Sequence, residues 1–174
     1  MKTIFIGGSK TVGTICKSAH TFIKSYIQVG CLFLCGDCYG ADTALQTFLL
    51  NEKYSNVVIY YVGEKPRNNI GQWQSVRVDT EAEPGTFLYR RAKDIEMVNT
   101  CDEGFMIWDG KSKGTGCNIV DLLSLNKPVY VCENEFIQME LLKTFLEKGA
   151  ISQAQYDKSA HDLTEKMGFG KASK

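Results

Sequence analysis

Three short glycine-bearing segments hold most of the residues in this chain that could do chemistry. They are Gly7-Gly8-Ser9-Lys10-Thr11, Gly36-Asp37-Cys38-Tyr39-Gly40-Ala41-Asp42 and Trp108-Asp109-Gly110-Lys111-Ser112-Lys113-Gly114-Thr115. In the third, an apolar run ends at Trp108 and a helical pattern begins directly after the loop. Backbone N–H groups at such a helix start, aligned with the positive end of the helix dipole, suit an anion. Gly114 and Thr115 are the expected phosphate contacts, with Gly110 and Ser112 in the same turn and Asn118 in the next helix. Thr115 could instead only cap its helix. Gly7 and Gly8 either let the backbone approach a ligand or simply permit a tight turn, and Ser9, Lys10 or Thr11 could add donors.

Asp37, Asp42 and Asp109 stand at strand ends, where a carboxylate can accept ribose hydroxyls or act as an acid or base. Asp37 and Asp109 are the catalytic candidates, while Asp42, early in a helix, could equally stabilise the dipole. Tyr39 or Trp108 could pack against a base. Lys65, Arg67, Arg90 and Arg91 either close over an anionic ligand or are solvated surface charge. Cys35-Gly36-Asp37-Cys38 has the C-x-x-C spacing of redox sites, but Cys35 closes an apolar strand and points toward a core. A zinc site would need further ligands, and His20 and His161 do not supply them, so neither a metal nor a cofactor is expected.

These segments need elements to hold them, and the hydrophobic pattern supplies an alternation of strands and helices. Short apolar runs at Thr3–Ile6, Cys31–Cys35, Asn56–Tyr61, Gly104–Trp108 and Pro128–Cys132 read as five strands. Helical spacing runs from Val12 through Ile15, Cys16, Ala19, Phe22, Ile23 and Tyr26 to Ile27. It recurs through Ala41, Ala44, Leu45, Phe48 and Leu49, then Leu88, Arg91, Ala92, Ile95 and Val98, then Ile119, Leu122 and Leu123. The segment 63–86, with Pro66, Trp73 and Pro84, reads as a long excursion holding a small hairpin near Gln72–Val78. The expected fold is a Rossmann-like, doubly wound α/β sheet, mainly parallel, of strand order 3-2-1-4-5. That order sets the ends of strands one and four side by side, where helices leave to opposite faces and ligands bind.

Residues 134–174 read as a separate C-terminal helical hairpin and tail after a nucleotide-binding domain over 1–133. Phe136, Leu142 and Phe145 mark its first helix. Ser152 and Gln155 make a capping box, with Ile151 and Tyr156 in staple positions, for a second helix carrying Ala160, Leu163 and Met167.

At 174 residues, 44% hydrophobic and 23% charged, the chain suits a globular domain with a sizeable core. Its 20 basic and 20 acidic residues cancel, so it lacks the basic footprint of a nucleic-acid binder, and nucleic acid is not the expected partner. The apolar run in MKTIFIGGSK is too short for a signal-peptide core or a membrane span. A cytoplasmic protein with no membrane partner and reduced thiols is expected, its seven cysteines mostly buried.

From Lys2 to Cys132 the chain resembles the SLOG superfamily, named for the DNA-processing Smf/DprA proteins and the lonely-guy (LOG) enzymes. The resemblance is carried by GDCYGAD at Gly36–Asp42 followed by Ala44, and by Lys93-Asp94, Met97 and Asp102 preceding the WDGKSKGT loop. The latter group is similar to bacterial and phage members of uncharacterised function. The resemblance implies a Rossmann-like fold that binds a nucleotide or a nucleotide-derived, ADP-ribose-like molecule. Some members cleave N-glycosidic bonds, as LOG-type phosphoribohydrolases and the more distant nucleoside deoxyribosyltransferases do; others sense nucleotide signals or bind DNA. The cleaving enzymes carry a glutamate three residues after the Gly-Thr threonine, where this chain has Asn118. A neutral amide cannot replace the charge of a carboxylate that stabilises an oxocarbenium ion or attacks as a nucleophile. Binding without LOG-type cleavage is therefore the expected function, with an N-glycosidase using another carboxylate as the alternative. A structural, oligomer-building role is a third possibility. The stretch KGAISQAQYDK looks like short C-terminal helical modules that mediate oligomer contacts, and a homo-oligomer is expected.

Overall fold

A computed structural model describes residues 1–133, 146, 147, 149 and 152–166. The chain divides into two compact units, Met1–Cys132 and Glu133–Lys174. The first is built from β1 (Thr3–Gly8), α1 (Lys17–Gln28), β2 (Leu32–Gly36), α2 (Ala41–Asn51), β3 (Val57–Tyr61) and β4 (Gln74–Arg77). It continues with α3 (Phe87–Thr100), β5 (Glu103–Trp108), α4 (Lys113–Ser124) and β6 (Val129–Glu133). The strands form one six-stranded sheet of order β4-β3-β2-β1-β5-β6. The pairs β1–β2, β1–β5, β2–β3 and β3–β4 are parallel.

Both faces of the sheet are covered, which is why its central strands are unbroken apolar runs. Ile4, Ile6, Phe33, Cys35, Ile59, Phe105 and Ile107 pack on one face with Ile23 of α1 and Leu45 and Leu49 of α2. Phe5, Leu34, Tyr60 and Met106 pack on the other with Met97 and Val98 of α3 and Leu122 of α4. Successive residues of β1 thus enter opposite cores, as the two-residue period of a strand requires.

The sheet has six strands where five are expected. The added strand, β4, falls where a hairpin is expected near Gln72–Val78, and it pairs parallel with β3, Val58 opposite Gln74 and Tyr61 opposite Arg77. It lies at the sheet edge and is mostly exposed, so its four residues carry little hydrophobic signal. The excursion leading to it is pinned at several points. The buried Gln46 side chain donates to the carbonyl of Gly36 (2.9 Å) and accepts from the amide of Ile70 (2.9 Å). Trp73 packs on the first core and donates through Nε1 to the carbonyl of Tyr54 (3.0 Å).

Three helices depart from the apolar pattern, one of them α4, where Leu123 is exposed and does not join Leu122 in the core. α1 starts at Lys17, so Val12 and Ile15 lie in the loop before it, although Val12 is buried in the core. On α3, Leu88 and Ile95 are exposed, while Arg91, Lys93, Met97 and Val98 are the buried residues.

In the second unit, α5 (Gln153–Lys166) begins with the expected capping box. The amide of Ser152 donates to Gln155 Oε1 (2.9 Å) and the amide of Gln155 donates to Ser152 Oγ (3.3 Å). Phe136, Leu142, Phe145, Ile151, Met167 and the expected tail 168–174 lie outside the described residues. Among the described residues, no helix is long and apolar enough to cross a membrane.

Candidate functional site

The strand order places the carboxyl end of β1 between those of β2 and β5, so the three glycine-bearing loops meet. Two glycines are required by this meeting. A Cβ on Gly8 would collide with the carbonyl oxygen of Ile107 and lie 2.8 Å from Ala41 Cβ. Gly40, at φ +81°, faces the backbone of Lys10, and a Cβ there would collide with the Lys10 carbonyl oxygen. The amide of Ala41 donates to the carbonyl of Ser9 (3.2 Å), joining the first two loops. Ser9 joins the first to the third: its hydroxyl accepts from the amide of Asp109 (3.0 Å) and sits 3.4 Å from Thr115 Oγ1.

The loops border a crevice of about 350 Å³, a size in the range of small-molecule sites. Gly7, Gly8, Lys10, Cys38 and Asp42 line it from the first two segments, and Ser112, Gly114, Thr115 and Asn118 from the third loop and its helix. Ser9, Gly36, Asp37, Tyr39, Trp108, Asp109 and Gly110 are not part of this lining. Tyr39 is 57% exposed. Trp108 donates through Nε1 to the carbonyl of Ser112 (3.1 Å), which ties it to its own loop.

Asp109 organises the third loop. Its Oδ1 accepts from the amides of Lys111 (2.9 Å) and Ser112 (2.6 Å), and its Oδ2 from Thr11 Oγ1 (2.6 Å). Burial pushes its carboxyl up, but these hydrogen bonds outweigh burial and hold it at about 2. Asp37 is fully buried and gripped by Arg67, whose Nε reaches Oδ2 at 2.9 Å and Nη2 reaches Oδ1 at 2.6 Å. Burial pushes Asp37 up too, and the Arg67 side chain and amide bring it below the usual carboxylate range. Both expected catalytic carboxylates are thus held toward their charged form by internal donors.

Asp42 differs. It is buried at the crevice floor, accepting from the amide of Cys38 (3.1 Å). Burial raises its carboxyl to about 6, against the opposing pull of Lys93. Gly36 makes room for this pair, since a Cβ there would collide with Asp42 Oδ2 and come within 2.7 Å of Lys93 Nζ. Lys93 is itself buried, bonded to Asp94 Oδ1 (2.6 Å) and 4.0 Å from Asp37 Oδ1. Burial lowers its ammonium, and Asp94 and Asp42 more than restore it, leaving it raised.

A raised Asp42 has a consequence for stability. The folded chain holds this proton up to about pH 6, whereas an unfolded aspartate releases it near 3.9. Its favourable contribution is complete below about pH 3.9 and is lost as pH rises through 6, a loss of about 3 kcal/mol. Asp37, lowered, contributes oppositely: its share is lost only as pH falls below the ordinary carboxylate range. Urea denaturation from pH 4 to pH 8 should therefore show a decline in stability that Asp42→Asn flattens. An unchanged slope in Asp42→Asn would assign the decline to another group.

Five further residues of the lining, Phe5, Phe87, Lys93, Asp94 and Met97, escape a reading of the loops because they come from inside β1 and from α3. A signal existed for three of them: Lys93, Asp94 and Met97 carry part of the SLOG resemblance, and two adjacent charges there interrupt the helix's inward face. Arg67, Arg90 and Arg91 also line the crevice, whereas Lys65 does not. Arg91 pairs with Asp121. Lys10 and Arg90 have no carboxylate partner among the described residues. Among those residues, no side chain caps the start of α4. The buried Asn118 Oδ1, in the crevice wall, has no hydrogen-bond partner among the described residues.

The C-x-x-C pair is not arranged for redox chemistry. Cys35 is fully buried, its Sγ bonds the carbonyl of Asp42 (3.8 Å), and burial pushes its thiol well up. Among the described residues, no group of three His, Cys, Asp or Glu side chains could hold a metal ion.

No protein-family model matches the chain, and no curated protein matches it.

Proposed function

We propose that the crevice binds a nucleotide or a nucleotide-derived, ADP-ribose-like ligand, as the SLOG resemblance implies. The observation that carries this reading is the uncapped start of α4, which borders the crevice through Ser112, Gly114 and Thr115, with Lys10 and Arg90 in the same lining. Amides with the positive dipole end, joined by two cations that no described carboxylate engages, favour a phosphate or pyrophosphate. The unpartnered Asn118 Oδ1 asks for a donor, which a sugar hydroxyl or a base amino group supplies. Phe87, at the crevice edge, has Lys113 Nζ over its ring, 4.7 Å from the centroid, which adds a cation beside the start of α4.

Gly114 allows a test that spares the fold, because a Cβ there meets nothing within 4 Å. Gly114→Glu brings a carboxylate to the phosphate position, where a helix start tolerates it. Titration calorimetry with AMP, ADP, NAD and ADP-ribose should give binding to at least one compound by the wild type. Gly114→Glu should weaken it by about tenfold or more, with no fall in melting temperature. Absence of binding to the whole panel by the wild type removes the reading.

A second reading, a nucleotide N-glycosidase, is favoured by Asp42, a crevice carboxyl held at about 6 and so able to exchange a proton near neutral pH. It places the acid–base role on Asp42 instead of Asp37 or Asp109. Release of free base, abolished by Asp42→Asn with binding retained, would establish it. Tight binding with no turnover at high enzyme concentration would leave the first reading alone.

A further inference from the structure

Cys16 and Cys132 are separated by 116 positions, yet their sulfurs meet at 3.0 Å. Cys16 is the N-cap residue of α1, and Cys132 lies in β6. Both are partly exposed. Ser18 Oγ stands 3.0 Å from Cys16 Sγ and 3.7 Å from Cys132 Sγ, completing a small polar cluster at the helix start. Neither cysteine lines the ligand crevice, so the chemistry of this pair is independent of the ligand bound there.

We propose that Cys16 and Cys132 form a hydroperoxide-responsive dithiol in which Cys16 is oxidised and Cys132 resolves it as an intramolecular disulfide. The sulfur contact is the principal ground. Sulfurs about 3 Å apart need to close by only about 1 Å to reach bonding distance, a movement within the reach of side-chain rotation. The surroundings of each thiol assign the roles. The Cys132 thiol and the Ser18 hydroxyl each lie within hydrogen-bond reach of Cys16 Sγ, and with the Ser18 and Ala19 amides at the helix start they lower its thiol. Together these overcome burial and pull the Cys16 thiol well below its ordinary range, which favours it as the attacking sulfur.

In the first step the Cys16 thiolate attacks one oxygen of a hydroperoxide. The S–O bond forms as the O–O bond breaks, and the departing alkoxide or hydroxide takes a proton and leaves as an alcohol or water. Cys16 is oxidised by two electrons to the sulfenic acid, and the peroxide is reduced by the same two. In the second step the Cys132 sulfur attacks Cys16 Sγ. The S–S bond forms, the S–O bond breaks, and hydroxide leaves as water with the proton from Cys132. The product ties the start of α1, and with it the end of the loop that begins at Ser9, to strand β6.

The test uses the full chain, reduced, freed of reductant and treated with hydrogen peroxide in small excess. Remaining thiols are then alkylated and the chain is digested without reduction for mass spectrometry. The Cys16–Cys132 linked peptide should exceed any other cysteine pair by about fivefold or more and disappear with dithiothreitol. In Cys132→Ser, Cys16 should stop at the sulfenic acid and be trapped by dimedone. In Cys16→Ser, no link to Cys132 should form. Recovery of both cysteines as alkylated thiols after peroxide has modified Cys38 or Cys117 would overturn the proposal. So would links scattered among the cysteines, or no dimedone adduct on Cys16 in Cys132→Ser.

Discussion

Lys93→Met is expected to lower stability at neutral pH by about 3–5 kcal/mol, the usual cost of removing one partner from a buried ionic cluster. The Lys93 side chain is 5% exposed, and its ammonium bonds Asp94, stands 4.0 Å from Asp37 and opposes the charge of Asp42. Without it, Asp42 and Asp94 lose the cation they share, while Asp37 keeps Arg67. The Asp42 carboxyl then rises further and stays protonated over more of the neutral range. The loss should accordingly shrink as pH falls toward 5, and Lys93→Met with Asp42→Asn should recover part of it by removing one of the stranded charges. Equilibrium urea denaturation at pH 5 and pH 7.5 measures all three variants. A loss below about 1 kcal/mol for Lys93→Met would show that the cluster is solvated, since exposed ion pairs are worth no more than that.

Gly40→Ala is expected to be of similar severity for a different reason. Gly40 has φ +81° and ψ −126°, a region that L side chains rarely enter, and its Cα faces the Lys10 backbone. Strain at such a position costs about 1–3 kcal/mol, and displacing the Lys10 carbonyl adds a packing cost of about 1–3 kcal/mol. The first loop must move to accept the methyl group, so Lys10 leaves the crevice as well. Gly114→Ala is the matching control. Its Cβ meets nothing, and alanine is favoured over glycine in a helix by about 1 kcal/mol. Thermal denaturation should separate the two variants by about 6–28 °C, taking about 2–4 °C per kcal/mol for a domain of this size. Equal melting temperatures would mean that the first two loops do not touch.

The crevice was legible to the extent that its chemistry lies in loops between strongly patterned elements. GGSKT, GDCYGAD and WDGKSKGT each lie at the end of a buried strand, and the sheet order brings the ends of those three strands side by side. The residues on α3 were harder to see. A helical pattern is read by assuming that the inward face is apolar, and Arg91 and Lys93 point inward because that face meets the crevice. Strand β4 was hidden for the opposite reason, since an exposed edge strand has no buried face to reveal its period.

What the amino-acid order determined by itself was the alternation of strands and helices, the presence of three glycine-bearing turns, and the capping box of α5. Each of these is local, resting on hydrophobic period, backbone freedom or a contact three residues away. What only the tertiary structure decided was the state of each side chain that arrives there. Asp37, Asp42 and Asp109 are the same residue type at similar strand ends, yet Arg67 grips the first, Lys93 and burial poise the second, and Thr11 and two amides engage the third. The same holds for sulfur: Cys35 and Cys38 are close in sequence, while it is Cys16 and Cys132 that meet. Charge and proton affinity depend on neighbours within a few ångströms, and those neighbours come from distant parts of the chain.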